Sequence, residues 1–87
     1  MLKIEIYSTA MCPYCVNAKQ LLANKMVEFE EIRVDQDPNQ FNIMLKRSNG
    51  ARTVPQIFIN DLHVGGFDDL SALNSTGKLD QILEEQL

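Results

Sequence analysis

Cys12-Pro13-Tyr14-Cys15 holds the only two cysteines of an 87-residue chain, three positions apart. An alternating run from Leu2 to Tyr7 leads into them, and a helix-like run from Val16 to Lys25 leads out. Two thiols at this spacing either close on each other or bind a metal, and spacing alone does not choose. Placement does more. Pro13 suits a first helical position, which puts Cys12 at or just before the first turn. Unpaired N–H groups and the positive end of the helix dipole there favour a thiolate. Helix N-termini and Cys-X-X-Cys settings draw a thiol pKa from about 8.5 into a range of about 3.5 to 7.5. Cys15 then lies one turn on, partly covered, placed to attack a disulfide formed on Cys12. The expected roles are nucleophile for Cys12 and resolving thiol for Cys15.

The other readings have less support. Cysteines also serve as small buried hydrophobes, but two of them around Pro-Tyr at a strand-to-helix junction make a poor accident. A zinc site usually takes a full tetrahedron of ligands, and beyond the pair the chain offers His63 and scattered carboxylates. A purely structural disulfide across so short a loop removes little unfolded-chain entropy. Redox chemistry leads, with no metal site expected.

The totals fit one small domain spanning residues 1–87, able to bury one core with little to spare. Apolar residues make up 45% and charged residues 23%, which argues against disorder. The net charge of −4, from eight basic and twelve acidic residues, argues against a general nucleic-acid binder. Met1 to Ile6 alternates apolar and polar, unlike a signal peptide, and no run approaches membrane-spanning length. A soluble, cytoplasmic protein is expected, where a Cys-X-X-Cys pair beside a β-α-β pattern is more often catalytic than structural.

Leu2, Ile4 and Ile6 alternate with Lys3, Glu5 and Tyr7, giving a first strand with one strongly apolar face. Cys15, Ala18, Leu21 and Leu22 share a helical face. Val27 and Phe29, then Ile32 and Val34, mark a second strand whose slipped alternation implies a bulge or a late start. Asp37-Pro38 starts a helix that buries Phe41, Met44 and Leu45 and ends at Asn49-Gly50. Ile57-Phe58-Ile59 and Leu62-His63-Val64 form a hairpin through Asn60-Asp61. Asp68 or Asp69 begins a helix carrying Leu70 and Leu73, and Thr76-Gly77 separates it from a last amphipathic segment with Leu79, Ile82 and Leu83. The order predicts an α/β fold: a mixed four-stranded sheet with helices on both faces.

Three separated motifs now stand in order: Cys12-Pro13-Tyr14-Cys15, Thr53-Val54-Pro55 and Gly65-Gly66-Phe67-Asp68-Asp69. In order and spacing the chain resembles a glutaredoxin of the dithiol Cys-Pro-Tyr-Cys type, from about Lys3 to Leu83. The resemblance implies a thioredoxin-like fold and a glutathione-dependent thiol-disulfide oxidoreductase that reduces protein–glutathione mixed disulfides and protein disulfides. Glutathione is then a cosubstrate, and no cofactor is bound. Protein partners carry disulfides or glutathione adducts, ribonucleotide reductase being one example, and the protein is expected to be a monomer that binds neither nucleic acid nor membrane.

By itself, Thr53-Val54-Pro55 reads as a rigid lead-in to a strand. The resemblance implies a cis Pro55 opposite the thiols, with Val54 backbone free to pair with the cysteinyl part of glutathione and Thr53 beside it. Gly65-Gly66 reads as a turn, and the helix after it offers N–H groups to an anion. By resemblance, backbone around Phe67 and Asp68, reached over Gly66, holds the γ-glutamyl carboxylate, and the Asp68 side chain takes its ammonium. Tyr14 would line the same groove; Phe67 flanks it or fills the core. Between Asp37 and Asp61 lie Lys46, Arg47 and Arg52 but no acidic residue, a local excess that suits a dicarboxylate ligand. Lys46 and Arg47 read better as partners of a helix C-terminus, and Arg52 as the ligand contact. His63 reads as a hairpin surface residue.

Rival roles are a redoxin served by thioredoxin reductase and a glutaredoxin that bridges a [2Fe–2S] cluster. Gly-Gly-Phe-Asp-Asp speaks against the first, and proline after Cys12 resembles members that mainly catalyse. The chain departs from the family at Thr9, where glutaredoxins commonly carry a lysine that supports the thiolate. The helix terminus must then carry more of that support, or another cation must reach in. Titrating Cys12 alkylation in the wild type and Thr9→Lys tests this, with faster alkylation at a given pH expected in the variant.

Overall fold

The computed structural model describes residues 2–85; Met1, Gln86 and Leu87, which the single-domain reading includes, lie outside the described residues. The strands are β1 (Ile4–Ser8), β2 (Glu30–Arg33), β3 (Gln56–Ile59) and β4 (Leu62–Gly65). The helices are α1 (Pro13–Asn24), α2 (Pro38–Arg47), α3 (Phe67–Ser75) and α4 (Lys78–Glu85). The sheet runs β2-β1-β3-β4, with β1 parallel to β2 and antiparallel to β3, and β3 antiparallel to β4. This is the mixed four-stranded sheet the sequence predicts.

The alternation along β1 divides the core into two. Ile4 and Ile6, with Ile57 and Ile59 of β3, face Ala18 and Leu22 of α1, Leu70 of α3, and Leu79 and Leu83 of α4. Each fully buried Ile or Leu among them contributes about 1.5–3 kcal/mol. Tyr7 and Phe58 point the other way, edge to face at 5.7 Å, and pack with Val34 and Met44 beneath α2. Both central strands are thus covered on both faces, and Tyr7 is buried although it alternates with apolar residues.

Local signals set the element ends. Asp37 caps α2, its carboxylate accepting the Asn39 N–H at 3.0 Å, and Pro38 follows. After α2, Asn49 and Gly50 take positive φ, and the Gly50 N–H returns to the Leu45 carbonyl at 2.7 Å. Asn60 and Asp61 both have positive φ, the conformation a two-residue hairpin turn needs. β2 starts late, at Glu30, so Val27 and Phe29 pack against the core from the segment before it. α3 begins one residue earlier than the aspartate signal implied, because the Asp69 carboxylate reaches back to the Gly66 N–H at 3.1 Å. No helix of the described residues is long and apolar enough to cross a membrane.

Arg47 corrects the sequence reading. It does not simply serve a solvated helix end but folds over the sheet, its guanidinium 4.1 Å from the Phe58 ring centre. It donates to the Tyr7 hydroxyl at 2.9 Å and to the Glu5 carboxylate at 3.0 Å. Arg47→Ala leaves the buried Tyr7 hydroxyl and the half-buried Glu5 carboxylate without this partner and is expected to cost about 1–3 kcal/mol in urea unfolding. Lys46→Ala, at an exposed position, should stay within about 0.5 kcal/mol of wild type.

Candidate functional site

Cys12 is the N-cap of α1. Its backbone is extended (φ −133°, ψ 102°), Pro13 follows at the first helical position, and Sγ accepts the Cys15 N–H at 3.1 Å. Sulfur thus does what a serine or aspartate oxygen usually does at a helix start. Both cysteines are free thiols, Cys12 half-buried and Cys15 fully buried. Burial, reinforced by the interaction of the Cys15 thiol with the Cys12 side chain, pushes the Cys15 thiol up to about 12. The Thr9 N–H and the charge of Lys19 act against that push.

Lys19 places a positive charge near Cys15, a role the sequence reading did not assign. It lies one turn beyond Cys15, and its Nζ binds Glu31 at 2.8 Å, which also accepts the buried Ser8 hydroxyl at 2.6 Å. Lys19 first, then Ser8, hold the Glu31 carboxyl below its usual range. The i, i+4 spacing from Cys15 to Lys19 was the available signal; the Ser8–Glu31 contact depends on β1–β2 register and had none. The loop before Cys12 has its own tether. The Ala10 N–H donates to Asp35 at 3.1 Å, and Arg33 grips the same carboxylate at 2.7 and 2.8 Å, drawing it down to about 2.

A hollow of about 470 Å³ adjoins the thiols. Tyr14, Thr53, Val54, Pro55, Gly66, Phe67 and Asp68 line it, together with Gln56 and His63. Cys12 Sγ lies 3.8 Å from the Val54 carbonyl, so the first and second motifs meet. The Val54–Pro55 peptide is cis. The Tyr14 and Phe67 rings stand 6.5 Å apart, so Phe67 both flanks the hollow and packs on the core. Gly65 has φ +114°, and a Cβ there would strike the Asp69 carboxylate, which explains the first glycine. Asp69 is spent on capping, whereas exposed Asp68 makes no hydrogen bond or ion pair among the described residues.

Arg52 does not line this hollow; its guanidinium lies 5.7 Å from the Phe41 ring centre. His63 is exposed as expected, yet it stacks on Phe58 at 4.8 Å and bonds to Gln56. A larger hollow of about 610 Å³ lies on the α2 side, but none of the three motifs lines it. Several of its charges already pair with one another, as Arg47 does with Glu5 and Asp61.

The glutaredoxin family's sequence model matches residues 4–64, most of the chain. The chain belongs to the glutaredoxin family. It is 54% identical over 80 residues to a glutaredoxin of Pseudomonas aeruginosa, covering 92% of this chain and 94% of that one. It is 49% identical over 84 residues to glutaredoxin 3 of Escherichia coli, covering 97% and 100%. Among solved structures, the glutaredoxin from Brucella melitensis superposes with a TM-score of 0.82 at 51% identity, over 95% of this chain and 89% of that one. A buckwheat glutaredoxin–glutathione complex gives 0.85 at 32% identity, over 95% and 77%. Cys12 and Cys15 are accordingly a redox-active pair on a thioredoxin-like fold, and the glutaredoxin is a glutathione-dependent oxidoreductase.

The two environments predict unequal reactivity. Iodoacetamide at neutral pH should label the reduced glutaredoxin once, at Cys12. Cys15 in a Cys12→Ser variant should stay nearly unlabelled until the pH passes about 9, because burial, the largest cause of its upward shift, remains. Peptide mass mapping reads both.

Proposed function

We propose that this glutaredoxin reduces protein–glutathione mixed disulfides through Cys12 and protein disulfides through the Cys12/Cys15 pair. The observation that carries this is the placement of a half-buried Cys12 Sγ, bonded to the Cys15 N–H, at the end of the hollow between Val54 and α3. Cys12 thiolate attacks the glutathione sulfur of a mixed disulfide. The old S–S bond breaks, and the protein thiolate leaves and takes a proton from solvent. A second glutathione thiolate then attacks the glutathione sulfur on Cys12, releasing glutathione disulfide and restoring Cys12. Two electrons pass from glutathione to substrate, with no bound cofactor.

With a protein disulfide, Cys12 thiolate attacks one partner sulfur, the partner's S–S bond breaks, and its other sulfur leaves as a thiolate and takes a proton from solvent. Cys15 loses its proton and attacks Cys12 sulfur, freeing the partner's second thiol, and two glutathiones reopen the Cys12–Cys15 bond. The resolving step becomes easier when it is needed. Burial still opposes ionisation of Cys15, but once Cys12 is in a disulfide its side chain no longer adds to that opposition, while the Thr9 N–H and Lys19 still favour the thiolate. A potential of about −200 to −230 mV, usual for glutaredoxins, lets this exchange run either way against the glutathione pool.

In this reading the glutathione lies along the hollow. Its cysteinyl backbone pairs with Val54 like an added strand, beside Thr53 and Pro55. The γ-glutamyl carboxylate meets the N–H groups of Phe67 and Asp68 at the start of α3, with Gly66 allowing close approach. Asp68 takes the ammonium, and Tyr14 covers the thiol end. Arg52, next to Thr53, supplies positive charge for a carboxylate by leaving Phe41. The glutathione complex of the buckwheat relative supports a ligand of this kind on this fold.

Turnover of a glutathione mixed disulfide, coupled through glutathione reductase to NADPH oxidation, tests the roles. Cys12→Ser should abolish all activity. Cys15→Ser should keep deglutathionylation and lose protein-disulfide reduction; loss of both would overturn the division of labour. A wild type reduced by thioredoxin reductase and not by glutathione would overturn the substrate.

A further inference from the structure

Gln56 is a buried polar side chain in the middle of the fold, 3% exposed, with both ends engaged. Its Nε2 donates to the Thr53 carbonyl at 3.0 Å and to the Thr53 hydroxyl at 3.3 Å. Its Oε1 lies 2.7 Å from His63 Nε2. Only this amide orientation works, because a carbonyl at Thr53 can accept but not donate. Oε1 must therefore receive, so His63 carries its proton on Nε2. His63 is held in turn by stacking on Phe58, its partner across the β3–β4 ladder, and Arg47 covers that same ring.

The Thr53 carbonyl and the Val54 N–H belong to one planar trans peptide and point in opposite directions. Fixing the carbonyl toward Gln56 therefore fixes the N–H away from it. That N–H finds no acceptor among the described residues. We infer that Gln56 and His63 are positioning residues: they set the Thr53–Val54 peptide plane so that the Val54 N–H is presented to the backbone of the glutathionyl substrate. The inference rests on the proposed glutathione pose. It gives His63, which has no contact with the thiols, a place in substrate selection acting through Gln56.

The test compares two second-order rate constants for reduced protein: one with a glutathione–cysteamine mixed disulfide, one with a disulfide lacking glutathione, such as 2-hydroxyethyl disulfide. Their ratio measures how much the glutathione moiety is recognised, and a merely structural defect would lower both together. Gln56→Leu removes the hydrogen bonds at similar volume and should lower the ratio about three- to tenfold, the range for loss of one aligned hydrogen bond. His63→Phe keeps the stacking on Phe58, loses the donor, and should lower the ratio in the same direction by less. His63→Gln, which retains an N–H donor, should recover most of the loss. The double variant Gln56→Leu/His63→Phe should match Gln56→Leu alone, as expected of residues acting in series. A ratio unchanged in Gln56→Leu, or additive losses, would overturn the inference while leaving the glutathione reading intact. A wild-type ratio near one would overturn both.

Discussion

The bond from the Cys15 N–H to Cys12 Sγ joins the fold to its chemistry. A helix start needs an acceptor for its unpaired N–H groups, and α1 recruits the nucleophilic sulfur as that acceptor. Cys15, one turn into the helix, lies on the face of α1 that buries Ala18 and Leu22. Pro13 takes the first helical position, where a missing N–H costs nothing. Reactivity at one cysteine and protection at the other thus follow from a single helix terminus.

That terminus is held in place by a sheet that is covered on both faces. β1 and β3 carry aliphatic side chains to one side and Tyr7, Phe58 and Gln56 to the other. The aliphatic side anchors α1 and α3, whose N-termini bear Cys12 and the Gly66–Asp68 segment. The second side anchors α2 and, through Gln56, the loop that carries Thr53 and Val54. Small displacements of either helix would change the hollow, but a close-packed core resists them.

Features that rest on neighbours in sequence were readable in advance. Asp37-Pro38, Cys12-Pro13 and Asn60-Asp61 announce their caps and turn because the partner groups lie within a few residues. The alternation of β1 likewise foretold the burial of Ile4 and Ile6, and the short apolar run Ile57-Phe58-Ile59 that of β3, but not the burial of Tyr7. The sequence did not reveal contacts that depend on strand register or on a long side chain folding back. Ser8 and Glu31 meet only because β1 and β2 run parallel in one register. Arg47 looked like a helix-end cation because nothing local says that it will lie over Phe58, 11 positions away. Arg52 illustrates the limit on the ligand side: it is adjacent to Thr53 in sequence yet rests on Phe41.

Each of the three segments around the thiols is tied down by a side chain outside the reacting atoms. Asp35 holds the Ala10 N–H, Gln56 holds the Thr53 carbonyl, and Asp69 holds the Gly66 N–H. A loop left free would have to be ordered when substrate arrived, and that entropy would come out of binding. Here the ordering is done during folding. The anchors also leave neighbouring groups uncommitted among the described residues: Asp69 caps α3 so that Asp68 need not, and Gln56 takes the Thr53 carbonyl while the Val54 N–H has no acceptor. Adjacent groups on these segments therefore divide the work. One of each pair builds the wall, and the other faces what the wall encloses.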